Sequence, residues 1–348
     1  MSTFHKLSIK NIIQETAAAV SVVFDVPENL ASNFVFKAGQ YLTLKTELKG
    51  EEIRRAYSIC SSPQSGELKI AIKAVENGTF STYATSKLKV GDTLEVHEPE
   101  GSFVLTPQSG KNYIAFAAGS GITPILSMVK TVLQGNPSAT FTLVYGNKSE
   151  VDTIFKSELD QLQNEFKSRF NLHYVYSKQN IGGSLFGRID SAYTNYYVKN
   201  IYREIEFEKA FLCGPETMIE TVSNALQNNG FDESQILFEL FTSSSEEENL
   251  DKIKDGETQV TVLLDDEELT FTMNQTDDIL AAALRNDVDA PYSCQGGVCS
   301  SCLAKVTEGK AVMTKNSILT DAEVADGFIL TCQAHPITPK IYVDYDDV

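Results

Sequence analysis

The first thing this 348-residue sequence lacks is a long apolar run. No stretch of apolar residues approaches the ~20 that a membrane-spanning helix needs. The first seven residues contain neither an apolar segment nor a small-residue cleavage site, so no secretory signal is visible. We therefore expect a soluble protein in the cytoplasm, with no membrane as a partner.

Basic residues are scarce relative to acidic ones. The chain has 29 Lys and Arg residues against 47 Asp and Glu residues, for a net charge of -18 at pH 7. A surface this acidic repels nucleic acids and anionic lipids, which excludes nucleic acid as a partner. The excess is strongest in residues 257–348, which hold 16 acidic and 5 basic residues. A protein partner with a basic or mixed surface fits this charge better.

The motifs of several enzyme classes are also missing. The sequence has no metalloprotease motif, no Walker phosphate loop and no nucleophile elbow. Its histidines have no spacing typical of a metal site, and they are His5, His97, His173 and His335. Nothing in the sequence therefore indicates hydrolytic chemistry.

The length and the changes of pattern along the chain indicate several domains. Short β-rich runs separated by Gly, Pro and Ser turns predict an antiparallel β-barrel or sandwich in residues 1–108. Apolar strands then alternate with helical stretches, which predicts a parallel α/β sheet in residues 109–241. Residues 242–256 begin with a Ser- and Glu-rich stretch that has nothing apolar to bury, so we expect a linker there.

Residues 257–348 form the third expected domain. Apolar-rich runs at residues 259–264 and 269–273 flank four acidic residues and predict a hairpin. Residues 278–286 are rich in Ala and Leu and predict a helix, and residues 340–343 predict a closing strand.

Four of the six cysteines fall in this last domain. They are separated by four, two and 29 residues, and they are Cys294, Cys299, Cys302 and Cys332. This is the ligand spacing of plant-type [2Fe–2S] ferredoxins. Gly296 and Gly297 allow the backbone to come close, so that amide groups can point at sulfur.

Two other interpretations of the cysteines exist. A structural zinc site also uses four thiolates, but it more often pairs two short Cys-x-x-Cys units. Buried free thiols require no such spacing, and we expect that role for Cys60.

A second set of signals lies in the β-rich part of the chain. Arg-Ala-Tyr-Ser at residues 55–58 ends one run, and Asn-Gly-Thr-Phe-Ser-Thr follows at residues 77–82. An arginine can hold a diphosphate, a tyrosine can lie on an aromatic ring, and a serine can bond to a ring nitrogen. Taken singly, Arg55 or Tyr57 is more typical of an ordinary β-strand with a satisfied surface arginine.

A glycine-rich turn opens the α/β part of the chain. Gly-Ser-Gly-Ile-Thr-Pro at residues 119–124 follows an apolar strand and predicts a helix with Thr123 as its N-cap and Pro124 at its first position. Such a turn points free N–H groups and the positive end of a helix at a phosphate. Cys-Gly-Pro at residues 213–215 follows a later strand, and Cys213 on its own is more typical of a buried core thiol.

In this order along the chain, the motifs resemble those of the ferredoxin–NADP reductase family with a plant-type ferredoxin domain at the C-terminus. The resemblance covers nearly the whole chain and is strongest to the reductase components of multicomponent phenylacetyl-CoA epoxidases. It implies a multidomain fold, with a flavin-binding antiparallel β-barrel, a nicotinamide-binding α/β parallel sheet and an α+β ferredoxin domain of the β-grasp type.

The resemblance also implies roles for the motif residues. Tyr57, Ser58 and Cys213 would lie at the reacting ends of the flavin and the nicotinamide, and Arg55 would hold the FAD diphosphate. The expected flavin contacts are Arg55, Ala56, Tyr57, Ser58, Ala71, Ile72, Lys73, Phe80, Ser81 and Thr82. The expected contacts to the nicotinamide nucleotide are Gly119, Ser120, Gly121, Thr123, Pro124, Ser177, Lys178, Cys213, Gly214 and Pro215.

The choice of nucleotide depends on groups that can meet a 2′-phosphate. Ser177 and Lys178 are similar to the Ser-Arg pair of NADP-specific relatives, with Lys in place of Arg. Lys148 and Arg188 could add positive charge. We expect NADPH and FAD, while NADH and FMN stay open as alternatives.

The expected cofactors imply an electron path. NADPH reduces FAD by hydride transfer, FAD passes electrons singly to the [2Fe–2S] cluster, and the ferredoxin domain delivers them to an oxygenase partner. We expect that partner to be a di-iron enzyme acting on an aromatic acyl-CoA. The alternatives are a reductase for another oxygenase, hydroxylase or desaturase, and a non-redox, metal-stabilised interaction module.

Overall fold

The computed structural model describes residues 3–241 and 248–348, which form two compact units. The larger unit is His5–Glu239, and the smaller one comprises the C-terminal part of the chain from Leu240. Residues 242–247, the Ser- and Glu-rich part of the expected linker, lie outside the described residues. Within the described ranges, no helix is long and apolar enough to cross a membrane.

The larger unit begins with an antiparallel sheet. Its six strands are β1 (Phe4–Thr16), β2 (Ala19–Asp25), β3 (Tyr41–Leu48), β4 (Glu51–Ser58), β5 (Leu68–Lys73) and β6 (Thr93–His97). They lie in the order β4-β3-β6-β1-β2-β5. A bridge between Ile59 and Ile70 joins the two ends of this order, so the sheet closes on itself. The predicted β-barrel is confirmed.

Alternation along the strands fills the interior of the barrel. In β2, Val20, Val22 and Phe24 point into one core because successive side chains of a strand face opposite sides. Helix α1 (Thr79–Ser86) buries Phe80 and Ala84 in the same core.

A parallel sheet forms the rest of the larger unit. Its strands are β7 (Asn112–Ala118), β8 (Thr140–Asn147), β9 (Phe170–Tyr176), β10 (Leu185–Phe186), β11 (Phe207–Cys213) and β12 (Ile236–Glu239), in the order β10-β9-β8-β7-β11-β12. Helices alternate with them, namely α2 (Ile122–Gly135), α3 (Lys156–Glu165), α4 (Ser191–Asn195), which continues into a π-helical turn, and α5 (Glu216–Gln227). This arrangement confirms the predicted α/β sheet. The near-continuous apolar run of β7 is typical of a strand covered on both faces.

Helix α2 is held between the barrel and the parallel sheet. Every residue from Ile122 to Leu133 is buried, although the helix carries Lys and Ser side chains. Ser127 Oγ donates to the Ser61 carbonyl at 2.6 Å, and Lys130 Nζ donates to the Cys60 carbonyl at 3.4 Å. These bonds connect α2 to the segment that follows β4 of the barrel. Cys60 is a buried free thiol, as predicted, and burial raises its pKa to about 12.

The smaller unit is an α+β domain. Its strands are β13 (Glu257–Leu264), β14 (Glu267–Asn274), β15 (Leu303–Glu308), β16 (Ala311–Met313), β17 (Phe328–Leu330), β18 (Ala334–Pro336) and β19 (Lys340–Asp344), and its helices are α6 (Ile279–Arg285) and α7 (Asp321–Ala325). The main sheet has the order β14-β13-β19-β15-β17, with β13 and β19 parallel. Asp278 caps α6 by accepting the Ala281 amide at 2.7 Å. The predicted hairpin, helix and closing strand are all confirmed.

Candidate functional site

The parallel sheet has a switch point between β7 and β11, where the strand order reverses. In open α/β sheets, ligands bind at the carboxyl ends of the strands at such a point. The carboxyl end of β7 leads into Gly119–Gly121, and that of β11 leads into Gly214. Both nicotinamide motifs predicted from the sequence therefore lie where this fold binds ligands.

The two motifs touch, and their glycines are needed for that approach. A Cβ added to Gly121 would lie 2.1 Å from the carbonyl oxygen of Cys213. A Cβ added to Gly214 would lie 3.1 Å from Cβ of Ala118. Residues more than ninety positions apart in the chain thus form one surface.

The predicted cap of α2 is wrong. The helix begins at Ile122, directly after a 3-10 turn over Gly119–Gly121, and Gly121 occupies the N-cap position. Thr123 lies inside the first turn, where its Oγ1 donates to the Ser120 carbonyl at 3.1 Å. The chain turns early because Gly119 adopts a φ of +56°, which glycine reaches without strain. Pro124 remains in the first turn, where no intrahelical bond needs its missing N–H.

The end of β12 adds a residue that no motif indicated. Ser58 Oγ donates to Glu239 Oε2 at 2.9 Å, although the two residues are 181 positions apart. Burial raises the pKa of Glu239 to about 8, while the bond from Ser58 opposes this shift. Glu239 therefore keeps its proton at neutral pH. In the sequence, Glu239 could have been recognised only as an acidic residue at the carboxyl end of an apolar strand.

Cys213 lies next to this pair. It is fully buried and stands opposite Glu239 in the ladder between β11 and β12. Burial, and then the charge of Glu239, hold the pKa of the Cys213 thiol well above its usual range. The structure thus brings together Ser58 and Cys213, which were predicted, and Glu239, which was not.

The two neighbouring arginines of β4 differ in environment. Arg54 is buried, and its Nε donates to Glu52 at 2.9 Å. Arg55 is exposed, and its Nη1 donates to the Arg54 carbonyl at 2.7 Å. Arg55 is therefore the arginine that is open to a ligand. After Ala56, the ring of Tyr57 lies 5.7 Å from that of Phe80.

The start of α1 offers backbone amides. Thr82 donates its amide to the Gly78 carbonyl at 3.4 Å, so it already takes part in the helix. The amides without an intrahelical acceptor are those of Thr79, Phe80 and Ser81. Ser81 Oγ accepts the Val75 amide at 3.1 Å and holds the loop before the helix.

Strand β5 contributes the next group of expected flavin contacts. Ala71 and Ile72 are buried in it, and Lys73 ends it. The Lys73 ammonium lies 3.7 Å from the point where a Cβ of Gly119 would be. Burial, and then the charge of Lys148, lower the pKa of Lys73. Its side chain thus faces the glycine-rich turn at Gly119–Gly121.

The carboxyl edge of β8, β9 and β10 carries positive charge. The amides of Ser177 and Lys178 donate to the carbonyls of Asn147 and Lys148 at 3.0 and 2.8 Å. The side chains of Lys148 and Lys178 are exposed, as is Arg188 after β10. All residues predicted to meet a 2′-phosphate therefore follow neighbouring strands at one edge of the sheet.

In the smaller unit, the cysteines form two pairs. The Cys299 thiol donates to Cys294 Sγ at 3.1 Å, and the Gly296 amide donates to the same sulfur at 3.3 Å. These hydrogen bonds lower the pKa of Cys294. Cys302 hydrogen-bonds to Cys332, and this contact and burial raise the pKa of Cys302. The Thr331 amide donates to the Cys302 carbonyl at 3.0 Å and brings the distant ligand beside the loop.

Two thiol pairs suit a two-iron cluster better than a single ion. A [2Fe–2S] cluster takes four thiolates, two on each iron, and amide groups that point at sulfur stabilise its negative charge. Among residues 3–241 and 248–348, the structure gathers no group of three or more His, Cys, Asp or Glu side chains around one metal position. With the switch-point site of the larger unit, this places the chain in the class of iron–sulfur flavoprotein reductases.

Comparison with known families agrees with that class. The oxidoreductase FAD-binding domain matches residues 6–105, the oxidoreductase NAD-binding domain matches residues 116–224, and the 2Fe-2S iron-sulfur cluster binding domain matches residues 262–336. Several relatives match over nearly their whole length. The chain is 39% identical to one of the subunits of 1,2-phenylacetyl-CoA epoxidase from Escherichia coli (strain K12), over 99% of both chains. It is 33% identical to the ferredoxin reductase component of 3-ketosteroid-9-alpha-monooxygenase from Rhodococcus rhodochrous, over 97% of this chain and 96% of that protein.

Solved structures share the fold. Phthalate dioxygenase reductase, a modular structure for electron transfer from pyridine nucleotides to [2Fe–2S], matches 98% of both chains with a TM-score of 0.64 and 23% identity. An intact type IV self-sufficient cytochrome P450 monooxygenase matches 98% of this chain and 41% of its own, with a TM-score of 0.72 and 21% identity. The chain belongs to the ferredoxin–NADP reductase family, among the oxygenase reductase components with a C-terminal [2Fe–2S] domain. It is an NAD(P)H-dependent oxidoreductase that uses FAD and a [2Fe–2S] cluster.

Proposed function

We propose that the chain passes electrons from NADPH, through FAD and the [2Fe–2S] cluster, to the oxygenase component of a di-iron phenylacetyl-CoA epoxidase. The observation that carries this proposal is the 39% identity, over 99% of both chains, to the epoxidase protein of Escherichia coli. The reductase of a 3-ketosteroid monooxygenase is less similar, at 33%. A role in phenylacetate catabolism follows from the same relationship.

In this proposal, the barrel binds FAD. Arg55 binds the diphosphate, and the exposure of its side chain in β4 supports this role. The amides of Thr79, Phe80 and Ser81 bind the same group, because the first N–H groups of a helix favour an anion. Tyr57 packs on the flavin ring, and the backbone of β5 from Ala71 to Lys73 borders it.

Ser58 and Glu239 hold a proton beside the flavin. Ser58 Oγ is the atom that links the barrel to the end of β12, at 2.9 Å from the carboxyl group. Since Glu239 has a pKa of about 8, it can keep a proton at neutral pH and exchange it through Ser58. Cys213 remains a neutral thiol and lines the site for the nicotinamide ring.

The glycine-rich turn, with Lys73, binds the diphosphate of the nucleotide. Gly119, Ser120 and Gly121 present backbone amides there, and Gly214 and Pro215 form the opposite wall. Ser177 and Lys178 select NADPH by meeting its 2′-phosphate, with Lys148 and Arg188 adding charge. The support for this selection is their common position at the carboxyl edge of β8 to β10.

The smaller unit supplies the one-electron centre. Its thiolate ligands are Cys294, Cys299, Cys302 and Cys332. When bound, FAD takes two electrons from NADPH and the cluster accepts them one at a time, which suits an oxygenase partner. The domain boundaries at residues 108, 241 and 256 and the cytoplasmic location stay predictions.

The test combines the purified full-length chain with candidate oxygenase components. With the phenylacetyl-CoA epoxidase oxygenase, we expect NADPH oxidation that requires both oxygen and phenylacetyl-CoA. A hydroxylase, a desaturase and a 3-ketosteroid monooxygenase serve as comparison partners. Faster coupled turnover with one of these would reassign the acceptor. A colourless anaerobic preparation, without flavin or iron, would instead support a non-redox interaction module.

A further inference from the structure

Tyr145 connects the interior of the parallel sheet to the glycine-rich turn at Gly119–Gly121. It is fully buried in β8, where it pairs with Ala117 of the neighbouring strand β7. Its Oη lies 2.8 Å from the carbonyl oxygen of Gly119, the first residue of the turn. A side chain of one strand therefore fixes the backbone that follows the next strand.

The hydroxyl has few other acceptors. The Ile154 carbonyl lies farther away, at 3.4 Å, and the Asn147 side chain hydrogen-bonds to the hydroxyl in a way that lowers the pKa of Tyr145, so the single hydrogen of the phenol favours the shorter contact to Gly119. Burial raises the pKa of Tyr145 far above its usual range. The phenol is therefore protonated, and it can donate, across the whole working pH range.

Fixing one carbonyl fixes the next amide. In a planar trans peptide, the C=O of Gly119 and the N–H of Ser120 point in opposite directions. With the carbonyl turned toward Tyr145, the Ser120 N–H points away from it. Glycine reaches many backbone conformations, so without this bond the peptide after Gly119, at a φ of +56°, could rotate.

The Ser120 amide is available for a ligand. It belongs to the first N–H groups of the turn that continues into α2, and such groups have no acceptor in their own helix. The Lys73 ammonium lies beside Gly119, which marks this turn as a place for an anion.

We propose that Tyr145 is a positioning residue, whose hydroxyl holds the Gly119 peptide so that the Ser120 N–H faces the diphosphate of the bound nicotinamide nucleotide. The proposal rests on the proposed function, because it assumes that the turn binds this nucleotide. It adds a residue to that site which contacts no part of the ligand itself.

A matched control stands in the adjacent strand. Tyr174 of β9 pairs with Tyr145 in the sheet, and their rings lie 6.3 Å apart. Its hydroxyl donates to Asp160 Oδ1 at 2.7 Å and not to the turn. Tyr174→Phe thus removes the same atom from the same tyrosine pair while leaving Gly119 held.

The experiment titrates the full-length flavoprotein with NADP⁺ and, separately, with adenosine 2′-monophosphate, which has the 2′-phosphate but no diphosphate. For Tyr145→Phe we expect the Kd of NADP⁺ to rise about tenfold, as for a lost hydrogen bond to a charged group. The Kd of adenosine 2′-monophosphate should stay within about twofold. In turnover, KM for NADPH should rise by about the same factor as the Kd while kcat changes little.

Three results would overturn the inference. The first is an unchanged Kd of NADP⁺ in Tyr145→Phe. The second is an equally weakened binding of NADP⁺ in Tyr174→Phe, and the third is an equally weakened binding of both ligands in Tyr145→Phe. The last two would each indicate a general effect on the sheet. The Kd values of NADP⁺ and adenosine 2′-monophosphate are determined for the folded fraction of each variant, so partial unfolding does not change them. If the unchanged protein binds neither NADP⁺ nor adenosine 2′-monophosphate, the proposal that the chain selects NADPH is wrong. In that case, the Kd of NAD⁺ in Tyr145→Phe and Tyr174→Phe tests the role of Tyr145.

Discussion

Cys213 and Cys294 show how differently the two units treat the same side chain. Cys213 is enclosed at the end of β11 beside an acid, and both burial and that acid keep it a neutral thiol. Cys294 receives hydrogen bonds from the Cys299 thiol and from backbone amides, and its pKa falls below the usual range. In the larger unit, burial thus keeps Cys213 a neutral thiol. In the smaller unit, hydrogen bonds favour the thiolate of Cys294, while the pKa values of Cys299 and Cys302, each bonded to another cysteine, rise.

The difference follows from what each centre binds. A metal cluster needs deprotonated ligands, so a loop with inward-pointing amides suits it. A flavin that meets a nicotinamide needs a dry surface without a competing charge, so a buried thiol and a protonated carboxyl suit it. Changes in one unit should therefore leave the chemistry of the other intact.

The largest effect should come from Cys299→Ser. Losing one ligand should abolish delivery to the oxygenase, by at least about a hundredfold, because the cluster no longer assembles. Reduction of a small dye by the flavin should persist. The measurements are iron content and the two turnover rates. Cys60→Ser is the control, because it changes a buried thiol of the larger unit and the protein should keep its full iron content. Undiminished delivery by Cys299→Ser would refute the role of the cluster.

The next largest effect concerns Ser58. Ser58→Ala removes the link to Glu239 and should slow reduction of the flavin by NADPH about tenfold to a hundredfold. Stopped-flow absorption at the flavin band measures this rate, and the iron content should not change. Ser21→Ala is the matched control, since Ser21 Oγ also donates to a glutamate, Glu15, at 2.6 Å but away from the site. Equal rates in the two variants would remove Ser58 from the mechanism.

A smaller effect is expected for Lys178→Ala. Removing this charge should raise KM for NADPH about tenfold and leave KM for NADH nearly unchanged, because only NADPH carries the 2′-phosphate. Lys10→Ala removes the same charge from an exposed position of β1 and should alter neither value. A parallel rise for both nucleotides would show that Lys178 does not select between them.

The smallest effect is a pH dependence of stability at Glu239. Folding raises the pKa of this carboxyl from 4.5 to about 8, so the native state keeps a proton that the unfolded chain releases. Stability should therefore fall as pH rises from about 4.5 to about 8.

Glu239→Gln lacks this titration. Between pH 5 and pH 8.5, the thermal midpoint of the unchanged protein should drop by about 8 °C more than that of the variant. Glu76→Gln, at an exposed position, should behave like the unchanged protein. The same drop in all three proteins would mean that Glu239 is not buried with its proton.

The domain that binds the [2Fe–2S] cluster was predictable because most of its cysteine pattern is local. Three of the four cysteines lie within nine residues, and the fourth has a characteristic spacing. The glycine-rich turn was readable for the same reason. Only its cap was misplaced, because a 3-10 turn ahead of α2 starts the helix before Thr123.

The rest depends on registers that a single sequence does not reveal. Glu239 reaches Ser58 only because β12 pairs with β11 at Cys213 and the barrel lies against that edge. Lys73 was expected to contact the flavin, and its side chain lies beside the glycine-rich turn of the parallel sheet. Tyr145 belongs to no sequence motif, because its proposed role depends on the turn that follows the neighbouring strand β7.

The most direct measurement of the central claim is an anaerobic titration of the full-length chain with NADPH, followed by metal analysis and low-temperature electron paramagnetic resonance. We predict about two iron atoms and about one FAD per chain, and a signal from the reduced cluster that grows as NADPH is added. A flavin that bleaches while the cluster stays oxidised would contradict the account.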